Sequence, residues 1–569
     1  MGILAIVLLA ICIFAFFIPR IEKKQASCLW KLVYVSPLLL AVAGSAFLDT
    51  SVWCAGIYVT AVLMLFLLYA TNPVIRKLIL GAAAAGAAVS VFLLLVLNKG
   101  AEASILADFE KGYATMREHY VLTEEKGIDW DALYAKYRPL FEKADAEGDE
   151  VQNYRYWLMF TQEFYDGHVG YETASEDTKR RAQCEIFGRD YGLSLCRLSS
   201  GEYVAVNVEG CENSLSVMDY GEDYSYAESY RSKSAEADRL SLVNAGLHNG
   251  SIITAWDGKS IEELEQEVDV YAESIPTRDN EEFYRPMHAA GKGGDRVEIR
   301  FLDDDGTEKS VEAPALGAYY PRMRSTIKRL DSGVNISNLD FRPVDAGTVM
   351  LRIYQMAYDS KSYEGSDYTA MSDEIREKLL AYRDKGYKRI ILDLRRNGGG
   401  SPFMVGGVVQ LFAPKGEHLI SYSAVINEKT ACFERDANGK YTKNGKVSYM
   451  GEDLWADGDI ILLVNYETVS AGDLICHLMA DYPNVTIMGF TGSNSSCQAV
   501  TNVNMKEGAL AFSAVPNLGE DGEPIIDSRT DHKRGVPIDH VIPFTEDAVR
   551  AIFDNNEDYL LDYAASYGR

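Results

Sequence analysis

From residue 345 onward the chain alternates short apolar runs with helical stripes. Val349–Ile353 is an apolar run of strand length, and 369–385 carries Met371, Ile375 and Leu379 at helical spacing. The next stretch, 388–400, reads KRIILDLRRNGGG: a buried strand running into three glycines. In DIILLVNYETVSAGD, residues 459–473, the apolar run Ile460–Val464 breaks at Asn465–Thr468. Ser470-Ala471-Gly472 then opens a helical pattern with Leu474, Ile475, Leu478 and Met479 on one face. Further strands are predicted at 485–488 and near 509–515 and 536–543. This alternation predicts an α/β domain over 316–569.

Upstream the pattern changes twice. Residues 99–185 are charged and amphipathic. They predict one helix through Ile105, Phe109, Tyr113 and Met116, a second capped by Asp129, and a third over Tyr154–Phe164 that ends at Asp166-Gly167-His168. Residues 186–315 predict β structure: the alternating strand Tyr203–Glu209, a strand Ile252–Trp256, an Asp257-Gly258 turn, a helix from Ser260 and a strand Val297–Leu302. Between them, 213–238 is rich in Ser, Tyr, Glu and Asp and reads as an exposed insertion. This order resembles a PDZ domain, with Gly192-Leu193-Ser194-Leu195 in the place of its carboxylate-binding loop, where backbone N–H groups capture a peptide C-terminus. The alternative is a β domain without a ligand.

Residues 1–98 read as a membrane domain. Four apolar segments, about 2–18, 32–48, 52–70 and 78–97, approach or reach the ~20 residues that cross a bilayer. A cleaved signal peptide fits the first poorly, because no basic residue precedes it and no small-residue cleavage site follows. Arg20, Lys23, Lys24 and Lys31 follow the first segment, and Arg76 and Lys77 precede the fourth. Read as cytoplasmic loops, they place everything after Asn98 outside the cytoplasm, in contact with the lipid bilayer only through the N-terminal helices. Segment 32–48 is short and holds Pro37; were it not to span, the topology would invert.

Charge excludes one class of partner. The net charge of -27 and pI near 4.8 leave no basic face for nucleic acid. The nine cysteines show no CxxC and no metal-ligand spacing, so neither metal nor cofactor is expected. The six cysteines beyond the membrane region leave room for one or two bridges.

Two stretches carry candidate chemistry. A serine between a strand end and a helix start projects its hydroxyl from a tight turn, and free N–H groups of the helix start can hold an oxyanion. The alternative for Ser470 is a plain N-cap. The triple glycine suits a backbone that must approach a ligand closely; the alternative is a flexible loop. His168 is either a base or an ordinary loop histidine.

Together these pieces resemble the S41 peptidases, the family of C-terminal processing and tricorn-type proteases. The carriers are Asp393-Leu394-Arg395-Arg396-Asn397-Gly398-Gly399-Gly400, Thr468-Val469-Ser470-Ala471-Gly472-Asp473 and Gly535-Val536-Pro537-Ile538-Asp539. The resemblance implies a crotonase-like α/β core with a PDZ-like domain and a helical subdomain, and a serine endopeptidase acting on peptides or unfolded and C-terminal protein segments. One design in the family uses a lysine base in a segment reading Thr-x-Gly-Lys-Gly-x-x-Gln. Here Thr491 and Gln498 match, but Asn494 holds the lysine position, and an amide cannot take a proton from serine. The tricorn-like design uses a histidine from an Asp-Gly-His motif, matched by Asp166-Gly167-His168. The resemblance thus implies Ser470 as nucleophile, His168 as base, and Asp531, or in reserve Asp527, as the acidic partner. Ala471 with Gly398 or Gly399 would form the oxyanion hole, and Asn494 and Gln498 would stand behind the catalytic groups. The rival is an inactive peptide-binding or sensor protein that retains the fold.

Overall fold

In a computed structural model the described residues are 74–75, 104–211, 235–270, 275–331, 338–357, 369–427, 429, 432–525 and 536–569. The four apolar segments expected to span a bilayer and nearly all of the 213–238 stretch lie outside them. Among the described residues no helix is long and apolar enough to cross a membrane. The chain divides into two compact units, Met1–Ala107 and Asp108–Arg569, the second beginning within helix α1 (Ile105–His119).

Helices α2 (Trp130–Glu147) and α3 (Glu150–Gln162) follow α1. Asp129 caps α2 as its sequence predicts, accepting the Ala132 N–H at 3.0 Å. Gly148 ends α2 in the left-handed region at φ 65°. The apolar faces meet through aromatics: Phe109 stacks on Phe141 at 4.3 Å, and Trp157 and Phe160 close the cluster. The chain leaves α3 through Phe164 and enters β1 (Gly170–Thr173), so Asp166-Gly167-His168 fills the turn between them.

The β-rich region contains the antiparallel pair β2 (Ser194–Arg197) and β3 (Tyr203–Val206). It also holds β4 (Ile253–Trp256), helix α4 (Arg278–Ala289), β5 (Arg296–Leu302), β6 (Glu308–Pro314) and helix α5 (Tyr320–Leu330). Strands β4, β5 and β6 form an antiparallel sheet. This region has no separate core. Leu195, Trp256 and Phe301 belong to one buried apolar cluster with Met350, Ile391 and Ile461 of the following sheet. The boundaries expected at 185 and 315 therefore fall inside one compact unit.

That main sheet is built from β7 (Leu339–Pro343), β8 (Thr348–Ile353), helix α6 (Ala370–Asp384), β9 (Arg389–Asp393), helix α7 (Pro402–Val409), the hairpin β10 (Gly416–Ala424) and β11 (Lys443–Gly451), β12 (Asp459–Leu463), helix α8 (Ala471–Met479) and β13 (Val485–Gly489). A three-stranded sheet follows from β14 (Ala499–Asn504) and β15 (Gly508–Val515) paired with β1. Strand β16 (His540–Val541) and helix α9 (Tyr559–Ser566) end the chain. The order in the main sheet is β16-β13-β12-β9-β8-β7. All neighbours are parallel except the edge strand β7. Each parallel strand lies beside the next parallel strand of this sheet in chain order. Strands β8 and β9 are buried along their whole length, which is why they read as unbroken apolar runs. Their order puts the carboxyl ends of β9 and β12 side by side, where open α/β sheets form their ligand crevices. Glycine turn and serine turn are thereby neighbours.

Candidate active site

The turn after β9 is anchored by charge. Asp393 is fully buried and accepts from Arg352 (2.8 and 2.5 Å) and Arg395 (2.9 and 2.8 Å). Arg395 also reaches both carboxylate oxygens of Asp558 at 2.8 Å. Burial pushes the Asp393 carboxyl up, but the two guanidinium groups outweigh it and hold it at about 2. Asn397 then pins the turn. Its Nδ2 donates to the Ile353 carbonyl (2.8 Å), its Oδ1 accepts the Gly399 N–H (3.0 Å), and its carbonyl accepts the Val469 N–H (2.9 Å).

This zips the glycine turn to the serine turn. Thr468 Oγ1 donates to the Leu394 carbonyl at 2.8 Å, and the Arg396 N–H to Asn465 Oδ1 at 2.9 Å. Gly399 must be glycine here. Its φ is +89°, and a Cβ would stand 2.6 Å from the Ser470 Cβ and 3.1 Å from the Ala471 nitrogen. The flexible-loop alternative for the three glycines does not hold, since the Gly399 carbonyl and the Ser401 N–H, on either side of Gly400, are both bonded to the Met356 backbone.

Ser470 stands at φ 60°, ψ -115°, a sparsely populated conformation for a residue with a side chain. Its side chain makes no capping bond to α8. Three positions on stands Asp473, fully buried. Burial raises its carboxyl to about 7, against the Ser493 hydroxyl and the backbone N–H groups of Ser496, Ser495 and Ser470. The same carboxylate accepts the Ser495 and Ser496 N–H groups at 3.0 Å each, which draws loop 493–498 onto the helix start. No described group accepts from the N–H of Ala471 or of Gly398. The Gly399 N–H, by contrast, is already committed to Asn397. Of the two glycines expected to serve an oxyanion hole, only Gly398 keeps its donor available.

The Asp-Gly-His turn lies against the same loop. The Gly167 N–H donates to Ser496 Oγ at 2.8 Å, while the Ser496 carbonyl accepts the Ser470 N–H at 2.8 Å. Ser496 thus touches the backbones of both turns. The Gln498 carbonyl faces the His168 imidazole, and Nδ1 of that ring is buried without a hydrogen bond. Burial lowers the His168 pKa below the usual histidine value, opposed by the charge of Asp166 and by the Gln498 carbonyl. The Gln498 side chain is committed elsewhere, donating to the Ile525 carbonyl and accepting the Asn517 N–H, each at 2.6 Å.

Asn494 is buried and donates to the Tyr466 carbonyl at 3.0 Å. Its Oδ1 presses on Gly167, where a Cβ would fall inside the Asn494 side chain. Asp531 and Asp527 lie outside the described residues. The flanks of that segment both meet the loop: the Ile525 carbonyl is held by Gln498, and the Val536 N–H reaches Ser495 Oγ at 3.4 Å.

The expected carboxylate-binding loop is not open. Gly192, Leu193, Ser194 and Leu195 are buried. The Gly192 N–H already donates to the Asp190 carboxylate at 2.8 Å, and Ser194 bonds Tyr319. An anion occupies the donor that a peptide terminus would need. Among the described residues no group of three or more His, Cys, Asp or Glu is placed to hold a metal. Sequence patterns did not single out Ser496; Asn397 and Asp473 stand within the motifs quoted above, but with no role of their own.

Residues 347–532 match the model of peptidase family S41, and residues 101–149 match that of the tricorn protease C1 domain. Among solved structures, mature CPAF is similar in fold over 82% of this chain and 98% of its own, with a TM-score of 0.50 at 12% identity. The tricorn protease aligns at a TM-score of 0.33 and 14% identity, over 81% of this chain and 36% of its own. The photosystem II D1 C-terminal processing protease aligns at 0.31 and 14% identity, over 79% and 97%. The likeness of fold rests on the first. The chain carries an S41 peptidase domain, and it is a serine-type peptidase.

Proposed function

We propose that the protein is a membrane-anchored serine endopeptidase that cleaves unfolded or C-terminal protein segments, with Ser470 as nucleophile and His168 as base. The observation that carries this reading is Ser470 itself. It is a strained serine at a strand–helix turn, free of any capping duty, with open N–H groups at Ala471 and Gly398. The Ser496 bridge to the Asp-Gly-His turn supports the choice of base.

The Ser470 hydroxyl adds to the scissile carbonyl as His168 takes its proton. The N–H groups of Ala471 and Gly398 hold the oxyanion. His168 returns the proton to the leaving amine; water then adds to the acyl-enzyme as His168 takes its proton, and His168 gives that proton to the Ser470 oxygen as the carboxylic acid leaves. Asp531, or Asp527 in reserve, would orient the imidazole. The four apolar N-terminal segments would fix the peptidase outside the cytoplasm.

Labelling with a serine-directed fluorophosphonate tests the reading. Wild-type protein is expected to label at Ser470, and Ser470→Ala and His168→Ala are each expected to lose turnover of an unfolded protein substrate by several orders of magnitude. Peptide binding without labelling or turnover would instead favour an inactive sensor.

A further inference from the structure

We propose that Asp166 is a positioning residue of the His168 base: its carboxylate locks the Asp-Gly-His turn onto the nucleophile loop through the Ser496 hydroxyl. The inference rests on the Ser470–His168 reading above.

Asp166 is 3% exposed, yet its carboxylate is the hub of the turn. Oδ1 accepts the His168 N–H and the Ser496 hydroxyl, each at 2.9 Å. Oδ2 accepts the Tyr120 hydroxyl at 3.0 Å and the Ser513 hydroxyl at 2.9 Å. Four donors from α1's end, the turn itself, the loop and β15 thus converge on one side chain. Ser496 passes the constraint on. Its hydroxyl accepts the Gly167 N–H and its carbonyl the Ser470 N–H, so two hydrogen-bonded steps lead from the carboxylate to the nucleophile's own backbone.

Holding a turn does not by itself require a charge. An asparagine oxygen would accept two of the four donors, with its Nδ2 turned to hydroxyls that can rotate to accept, and a buried carboxylate is costly. The charge acts on two cationic or titratable groups, Lys126 and the His168 imidazole. The ionisable groups around that ring and carboxylate are Lys126, whose ammonium bonds the Tyr165 carbonyl at 2.9 Å, Tyr120 on the carboxylate, and Asp473 behind Ser495 and Ser496. Of these, Asp166 is the anion, two positions before the histidine, whose charge acts on the imidazole. A nearby negative charge stabilises the imidazolium that forms when Ser470 gives up its proton.

The experiment uses the full chain and an unfolded protein substrate. In Asp166→Asn, kcat is expected to fall about 100-fold with KM nearly unchanged, and the acid limb of kcat/KM to move to lower pH by about one pH unit. Ser496→Ala keeps the charge and breaks the relay, so kcat should fall while the acid limb stays. Ser496→Thr, which restores a hydroxyl, should recover most of the rate. A wild-type kcat and acid limb in Asp166→Asn overturns the proposal. Should that variant fail to fold, wild-type kcat in both Ser496→Ala and Tyr120→Phe overturns it equally. The outcomes separate from failure of the underlying reading: full activity in His168→Ala removes the base, whereas an inactive His168→Ala beside an unaffected Asp166→Asn removes only the role of Asp166.

Discussion

At the scale of single residues, the site places opposite demands on Gly399 and His168. Gly399 has to be small: its φ of +89° and the 2.6 Å approach of a would-be Cβ to Ser470 leave no room for a methyl group. Gly399→Ala is expected to cost more than about 1 kcal/mol of stability and to displace Ser470, so that fluorophosphonate labelling falls further than a urea melt does. His168 has to be neutral to act. Burial lowers its pKa, so the protonated, inactive form should accumulate only below the usual histidine value of 6.5. A kcat/KM profile is therefore expected to hold its plateau down through pH 6.5 and fall at more acid pH. An acid limb centred above 6.5 would contradict this. Asn494 also has a spatial reason to stand where related enzymes keep a lysine. Its amide fills the space beside Gly167, and Asn494→Lys is expected to push the Asp-Gly-His turn away and abolish activity without creating a new dyad.

At the scale of elements, the decisive feature is the pair of turns after β9 and β12. Both were legible in the sequence, because each follows an unbroken apolar run and breaks into residues suited to turns. What aligns them was not legible. The Asp393–Arg352–Arg395–Asp558 network joins the ends of β8 and β9, the turn after β9 and the start of α9, and the spacing of charged residues along a chain does not show which of them share a buried site. Arg395 is fully buried between two carboxylates, so Arg395→Met leaves buried charge without its partner. Such a break costs about 3–5 kcal/mol, to be read from urea denaturation. Acid should act on the same element. Asp393 is held at about 2 against an ordinary value of 3.8, so its contribution is complete above pH 3.8 and lost as pH falls toward 2. The carboxylate loop expected at Gly192–Leu195 shows a second limit of sequence patterns. Its small and apolar residues fit a backbone-lined pocket, but they fit a buried strand as well, and Asp190 and Arg322 decide for the latter.

At the scale of the molecule, the proposed base arrives from outside the α/β core. The sheet supplies Ser470 and the glycine turn, but His168 comes from the helical region and is held by β1 pairing with β15, with Gly170 opposite Ala511. The catalytic groups can assemble only if the whole unit closes, and the C-terminus performs much of that closure. Helix α9 buries Leu560, Leu561, Ala564 and Ala565 in the core shared by the β-rich region and the main sheet. Asp558 at its start holds Arg395 and Arg352. Arg389 at the start of β9 donates to the Ala565 and Tyr567 carbonyls at 3.1 and 2.6 Å, capping the helix end. Sequence periodicity finds such a short terminal helix readily but says nothing of where it docks. Removing residues 558–569 would uncover an apolar face and leave three buried or half-buried arginines short of partners at once. The expected outcome is loss of one cooperative thermal transition and of Ser470 labelling together, although no residue of the proposed triad is deleted. Asp558→Asn, which keeps the helix, should lower stability yet retain labelling. If the truncated chain instead melted cooperatively and labelled normally, α9 would be an appendage and the site would be held by the sheet alone.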